Sequence, residues 1–175
     1  MSDLRYPIGR FAVAERFTPE SRAAAVAAIA SLPSELRAAA SGLDAAQLDT
    51  PYRDGGWTAR QVVHHVADSH ANAYVRHKLT IAEREPTIRP YDEQVWAELP
   101  EARTAEPELS LDLLEALHRR WVRFLRALPA EAFDRRFVHP AMPQPMSLDA
   151  SVEHYAWHGR HHTAHVRALR SARGW

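Results

Sequence analysis

The chain has 175 residues, a formal net charge of zero, eleven histidines and no cysteine. The length fits one domain, residues 1–175, with room for a real core; the balanced charge offers no surplus of Lys and Arg for a phosphate backbone and argues against a nucleic-acid partner. Lack of Cys excludes disulfides, thiolate metal sites and a Cys nucleophile, so any metal must rest on His with Asp, Glu or water, a set that suits zinc, nickel, copper or iron.

No stretch approaches the roughly 20 apolar residues of a membrane span, and the first residues carry no apolar run of signal-peptide length. The expectation is a soluble cytoplasmic protein with no membrane partner. Residues 4–17 read as an extended arm, because Pro7 and Gly9 oppose a helix. Thr18-Pro19-Glu20 is a helix start, with a hydroxyl cap, a proline at the first helical position and an acid at the positive end. The Ala-rich run from Ser21 to Ala40 has high helix propensity. Pro33 predicts a kink or a break between Leu32 and Ser34, and Ser41-Gly42 ends the run.

Asp44 to Leu48 reads as one short helical turn, and residues 50–56 as a loop with Asp-Gly-Gly turn chemistry. Thr58 caps a second long helix reaching about Arg84, which Glu85-Pro86 stops. Residues 87–91 are extended, and Asp92 caps a short helix through Leu99. Residues 100–109 read as an exposed connection. Ser110 then caps a third long helix, Leu111 to Leu128, with the apolar stripe Leu111, Leu114, Trp121, Leu125 and Leu128. Pro129 to Ser147 is non-helical, and Phe137-Val138 and Met146-Ser147-Leu148 flank a proline-containing turn that reads as a small hairpin. Ser147 or Asp149 starts the last long helix, which runs to about Ala172. Four long helices with one-sided apolar stripes predict an all-α four-helix bundle.

Five of the eleven histidines fall between His154 and His165. Positions 154, 158, 161, 162 and 165 are related by steps of three and four, which return to one face of a helix. A solvated stripe would use Glu, Lys and Arg, and a core stripe Leu and Val. A stripe of imidazoles points to metal, since two of them at i, i+4 can grip one ion. Spacing leaves three such pairs open: His154/His158, His158/His162 and His161/His165. Position 159 is Gly, so the H-E-x-x-H pairing of ligands with an adjacent base is absent. Gly159 instead suits the close approach of another backbone or a substrate.

A bundle builds metal sites from facing helices, which asks for a third ligand elsewhere. His65 shares its helical face with Val62, Val66, Ser69 and Ala73, a small and apolar surface. His64 neighbours Arg60, Gln61, Ala67 and Asp68, a more solvated one. Helical phase therefore favours His65, with Asp68 one turn on able to orient an imidazole. His70, His77, His118 and His139 read as satisfied polar residues, His118 packing beside Leu114 and Trp121.

Several motifs occur together in order: Tyr6-Pro-Ile-Gly-Arg-Phe11, Leu48-Asp-Thr-Pro-Tyr-Arg-Asp-Gly-Gly-Trp57-Thr, Gln61-Val-Val-His-His-Val-Ala-Asp-Ser-His70, Ile88-Arg-Pro-Tyr-Asp92 with Trp96-Ala-Glu-Leu99, and Tyr155-Ala-Trp-His-Gly-Arg-His-His162. With them the chain resembles, over nearly its whole length, the DinB-like superfamily and within it the YfiT-type metal-dependent hydrolases. The resemblance implies a bundle of up-down-down-up type and one divalent metal per subunit, Zn2+ or Ni2+, held by three histidines. One comes from the second helix and two from an H-x-x-x-H on the fourth. Carried onto this chain, they are His65, His158 and His162, with His165 standing where Gln is common. The resemblance also implies a homodimer, for which Trp96 and the arm residues Tyr6 and Phe11 are candidate apolar contacts.

Three neutral imidazoles leave coordination positions open, as in a catalytic site. The first expectation is thus a metal-dependent hydrolase that activates water against a small-molecule substrate. Asp68, Glu153 and His161 are the candidates for its general base, and the sequence does not rank them. The second, from the resemblance to other DinB-like proteins, is a thiol S-transferase in which the ion binds bacillithiol, mycothiol or glutathione as thiolate. The third is a non-enzymatic metal-binding stress protein.

Overall fold

A computed structural model describes residues 3–175, with Met1 and Ser2 outside it. In chain order the elements are α1 (Pro19–Ala40), α2 (Ala45–Leu48), α3 (Ala59–Ala82), α4 (Glu93–Ala97), α5 (Pro100–Thr104), α6 (Pro107–Arg126), a 3-10 turn (Ala130–Asp134), β1 (Arg136–Phe137), β2 (Met146–Ser147) and α7 (Leu148–Arg173). The four long helices α1, α3, α6 and α7 form a four-helix bundle. Both α1 and α3 pack mainly against α6 and α7, which puts α1 and α3 at opposite corners. Among the described residues no helix is long and apolar enough to cross a membrane.

Helix starts are settled locally. Thr18 and Thr58 each accept a hydrogen bond from the backbone N–H three residues on, and Ser21 and Gln61 return one to the cap. This reciprocal pair satisfies two backbone donors that a helix leaves free. Ser147 caps α7 through the Ala150 N–H, and Gly174, at φ 72°, closes it in the left-handed region that glycine tolerates. The first turns of α1 and α7 are tied by a two-pronged pair, Arg22 Nε to Asp149 Oδ1 at 2.7 Å and Nη2 to Oδ2 at 2.6 Å. β1 and β2 are the small hairpin, antiparallel with Phe137 opposite Met146.

The core is divided. One apolar cluster gathers Val26, Ile29, Trp121, Leu125, Leu148 and Val152. The other gathers Leu36, Val62, Val66, Leu111, Leu114 and Val166. On every long helix the two sets are separated along the chain, and on α3, α6 and α7 the gap holds histidines: His70, His118, and His158 to His165, with His65 just before the gap on α3. The bundle therefore carries a polar layer across its middle.

Four expectations are corrected. α1 runs unbroken through Pro33. The carbonyl of Ile29, deprived of the residue-33 N–H, is bonded instead by His118 from α6. Residues 100–109 are largely helical, because Pro100 and Pro107 occupy first-turn positions where a missing N–H costs nothing. Ser110 is consequently a buried interior residue of α6 and not its cap. Finally, the N-terminal arm is not extended throughout. Asp3 to Gly9 forms two successive turns, Tyr6 N–H to Asp3 O at 2.9 Å and Gly9 N–H to Tyr6 O at 3.0 Å, with Gly9 at φ 82°.

Candidate metal centre

Nine of the eleven histidines are buried, so their ring nitrogens must find partners within the protein. Three of them converge between α3 and α7. One ring nitrogen from each of His65, His158 and His162 lies within 4.8 Å of the others. His65 Nε2 and His158 Nε2 face one another at 3.3 Å, and the His162 ring stands edge-on to both, with centroids 4.7 and 4.5 Å away. Burial, with the neighbouring imidazoles adding to it, pushes His65 down to about 4 and His158 and His162 well below the ordinary histidine range. All three are thus unprotonated at neutral pH, the form in which imidazole binds a metal.

The backbone brings them together for identifiable reasons. His65 points inward because its face of α3 also carries Val62 and Val66, both fully buried. His158 and His162 sit one turn apart on α7, flanking Gly159. A Cβ at position 159 would lie 2.5 Å from Leu32 Cδ2 and 2.8 Å from Cδ1. Gly159 is therefore what lets α7 seat so closely on α1, and the close partner is a side chain, not a backbone or substrate.

His64 faces a different way. It is buried, contrary to the solvated surface expected for it, with Nδ1 2.7 Å from Ser110 Oγ and Nε2 3.1 Å from the Ala105 carbonyl. The α5–α6 corner, unforeseen as helix, is what covers it.

A second group of three, His161, His162 and His165, also has ring nitrogens within 4.8 Å of one another. All its members come from α7, and it shares His162 with the first. The Nδ1 atoms of all three are buried with no hydrogen-bond partner among the described residues. Aromatic rings wall the site. Trp57 packs on His65 at 4.5 Å, Tyr52 stacks on His165 at 4.0 Å, Trp157 stacks on His161 at 4.4 Å, and Tyr6 from the arm reaches His161 at 5.9 Å. The arm residues Tyr6 and Phe11 are half-buried on α7, Phe11 against His154 at 4.9 Å. Trp96 stays exposed beside Tyr91.

The three base candidates fall in different places. His161 lies within the wall, its ring 5.0 Å from His162, and burial lowers its pKa. Asp68 is half-buried on α3, its carboxyl pushed up to about 6 by burial and by Glu101. Among the described residues no hydrogen bond joins its carboxylate to the histidines. Glu153 borders a groove with Phe11, Ala25, Trp157 and Arg160, on a side of α7 that none of His65, His158 and His162 lines.

Reading the sequence missed His70 and His118. Both are buried, and they are bonded to one another and to the site: His118 Nε2 to His70 Nδ1 at 3.0 Å and His70 Nε2 to His158 Nδ1 at 3.1 Å. His77 is satisfied apart from this group, accepting from Trp121 Nε1 at 3.1 Å and bonded to Ser151 Oγ at 2.8 Å. His139 lies in the hairpin loop and accepts from the Ala141 N–H.

Comparison with known proteins agrees with this architecture. The DinB superfamily matches residues 28–166. Proteins from Bacillus cereus and from Bacillus thuringiensis subsp. konkukian, both bearing the name "Putative metal-dependent hydrolase", are each 50% identical over 175 residues, covering 100% of both chains. The structure of YfiT from Bacillus subtilis, described as "a probable metal-dependent hydrolase with an unusual four-helix bundle topology", superposes with a TM-score of 0.96 at 45% identity, covering 98% of each chain.

Proposed function

The chain belongs to the DinB superfamily, and from that membership and the three converging imidazoles we propose that it is a metal-dependent hydrolase with His65, His158 and His162 as ligands. The observation that carries this reading is the 3.3 Å separation of His65 Nε2 and His158 Nε2. An ion bonded tetrahedrally to imidazole at about 2.0–2.1 Å sets its ligand nitrogens roughly 3.3–3.4 Å apart. The donor set is all nitrogen, neutral and drawn from two facing helices, which suits zinc or nickel. The single-helix group with His161 and His165 lacks a ligand from a facing helix, which bundle metal sites normally draw on.

An ion with three protein ligands and open positions supplies Lewis acidity to a carbonyl and makes water a nucleophile near neutral pH. The chain's own residues do the rest. Trp57 and Tyr52 cover the histidines on one side, excluding water and giving a small apolar carbonyl substrate a surface to rest on. Of the three base candidates we favour His161, whose ring lies 5.0 Å from that of His162 and whose Nδ1 has no hydrogen-bond partner among the described residues. Burial lowers its pKa, so it enters the reaction unprotonated.

The test is a pair of assays on protein purified with its metal. Hydrolysis of an ester and amide panel with no added thiol, lost in His65→Ala, is the expected result. Consumption of a low-molecular-weight thiol with monochlorobimane, and no hydrolysis, would replace this reading with the thiol S-transferase. Unfolding on chelation, with neither activity, would leave a structural ion.

A further inference from the structure

The hydrogen bonds behind His158 have an order that chemistry fixes. The Ile29 carbonyl, 2.6 Å from His118 Nδ1, can only accept, so His118 Nδ1 carries a proton. Rings this deeply buried stay neutral, because burial disfavours the charged imidazolium: His70 and His118 are 0% and 1% exposed, and among the described residues no acid is hydrogen-bonded to His118, His70 or His158. A neutral ring carries one N–H. His118 Nε2 is therefore an acceptor, and His70 Nδ1, 3.0 Å away, must donate to it. His70 Nε2 is then an acceptor in turn, and His158 Nδ1, 3.1 Å away, must donate to it. One tautomer remains for His158, with Nε2 bare and facing His65.

We propose that His70 and His118 are positioning residues for the metal centre. They form a relay of imidazoles that starts at the Ile29 carbonyl and holds His158 in the tautomer whose Nε2 lone pair is presented to the ion. The inference rests on the reading of His158 as a ligand. Pro33 is what makes the anchor available. An ordinary residue there would donate its N–H to the Ile29 carbonyl within α1, whereas proline has none to give. The relay also ties the ligand to three helices, α7 through His158, α3 through His70 and α6 through His118, and ends on the backbone of a fourth, α1. It supplies for one ligand the outer hydrogen bond that metal-binding histidines require to fix ring and tautomer, and it does so without a carboxylate.

Two measurements test it. In metal-free wild-type protein, ring-nitrogen correlation spectra of 15N-histidine-labelled chain report the tautomer of each imidazole. His118, His70 and His158 are all expected as the Nδ1–H form, and finding the Nε2–H form at any of the three overturns the relay. The second measurement is Zn2+ affinity by competition with a chromophoric chelator. His118→Leu, which leaves His70 Nδ1–H without an acceptor, should weaken Zn2+ binding by about tenfold or more. His118→Gln, whose amide oxygen can accept from His70, should recover most of that loss. Equal weakening in both variants, or none in either, would overturn the positioning role. If the wild-type chain binds no Zn2+, the ligand reading itself fails, while the tautomers, read without metal, still decide the relay.

Discussion

His118 Nδ1 lies 2.6 Å from the carbonyl oxygen of Ile29, the one carbonyl of α1 whose helical donor is removed by Pro33. The bond joins α6 to α1 at the level of the histidine layer. It changes what the proline costs. Taking a proline out of a helix interior ordinarily stabilises by about 3 kcal/mol. Here the orphaned carbonyl already has a partner, so Pro33→Ala should change stability by no more than about 1 kcal/mol in urea unfolding. A gain near the full value would mean that the His118 bond contributes nothing.

Gly159 sits under Leu32, where a Cβ would be 2.5 Å from the nearest methyl. Gly159→Ala should therefore lower stability by about 1–3 kcal/mol, although alanine is the better helix former. Because the clash is with one side chain, Leu32→Ala in the same chain should cost less than it does alone. A double-mutant cycle in denaturant measures this coupling, and strict additivity would show that α1 and α7 do not meet at this pair.

Asp149 is almost fully buried and grips Arg22 with both oxygens. Removing the acid in Asp149→Ala leaves a largely buried guanidinium unpaired, at a cost of roughly 3 kcal/mol. Replacing both residues together, as Arg22→Met with Asp149→Leu, should recover much of the loss. Thermal unfolding of the three variants checks this, and a double variant no better than Asp149→Ala would contradict it.

The buried histidines also set the acid limb of stability. His77 is pushed down to about 3, by burial first and Arg76 second. In the unfolded chain it titrates near 6.5. Between those values the unfolded state binds the extra proton, so stability is full above about pH 6.5 and falls as pH drops towards 3. Each such histidine contributes on the order of 2 kcal/mol to the loss by about pH 4.5. The melting temperature, followed with a chelator present so that metal release plays no part, should be flat from pH 8 to 7 and then decline. A melting temperature that rises from pH 7 to 5 would show that the histidines are not buried uncharged.

Much of this was legible in the chain. Thr18-Pro19-Glu20, the Thr58–Gln61 pair and Ser147 are complete local signals, and each starts a helix where it stands. Helical phase places His65 on the Val62/Val66 face, where its ring meets those of His158 and His162. The rest depended on packing. His64 looked solvated because its α3 neighbours are polar, and only the α5–α6 corner supplies Ser110 and Ala105 to cover it. That corner was itself missed. Leu99-Pro100-Glu101 and Glu106-Pro107-Glu108 carry the first-turn proline signature but no side-chain hydrogen bond to the cap. Pro33 announced a freed carbonyl, yet nothing local says which helix will bring a donor to it. His70 and His118, 48 positions apart, could be paired only once α3 and α6 had been docked.

The central claim is the ligand set. Elemental analysis of natively purified protein, wild type alongside His65→Ala, His158→Ala, His162→Ala and His64→Gln, tests it most directly. The account predicts one divalent ion per chain in the wild type and in His64→Gln, and none in the three Ala variants. An ion retained by His65→Ala, or lost from a folded His64→Gln, would contradict it.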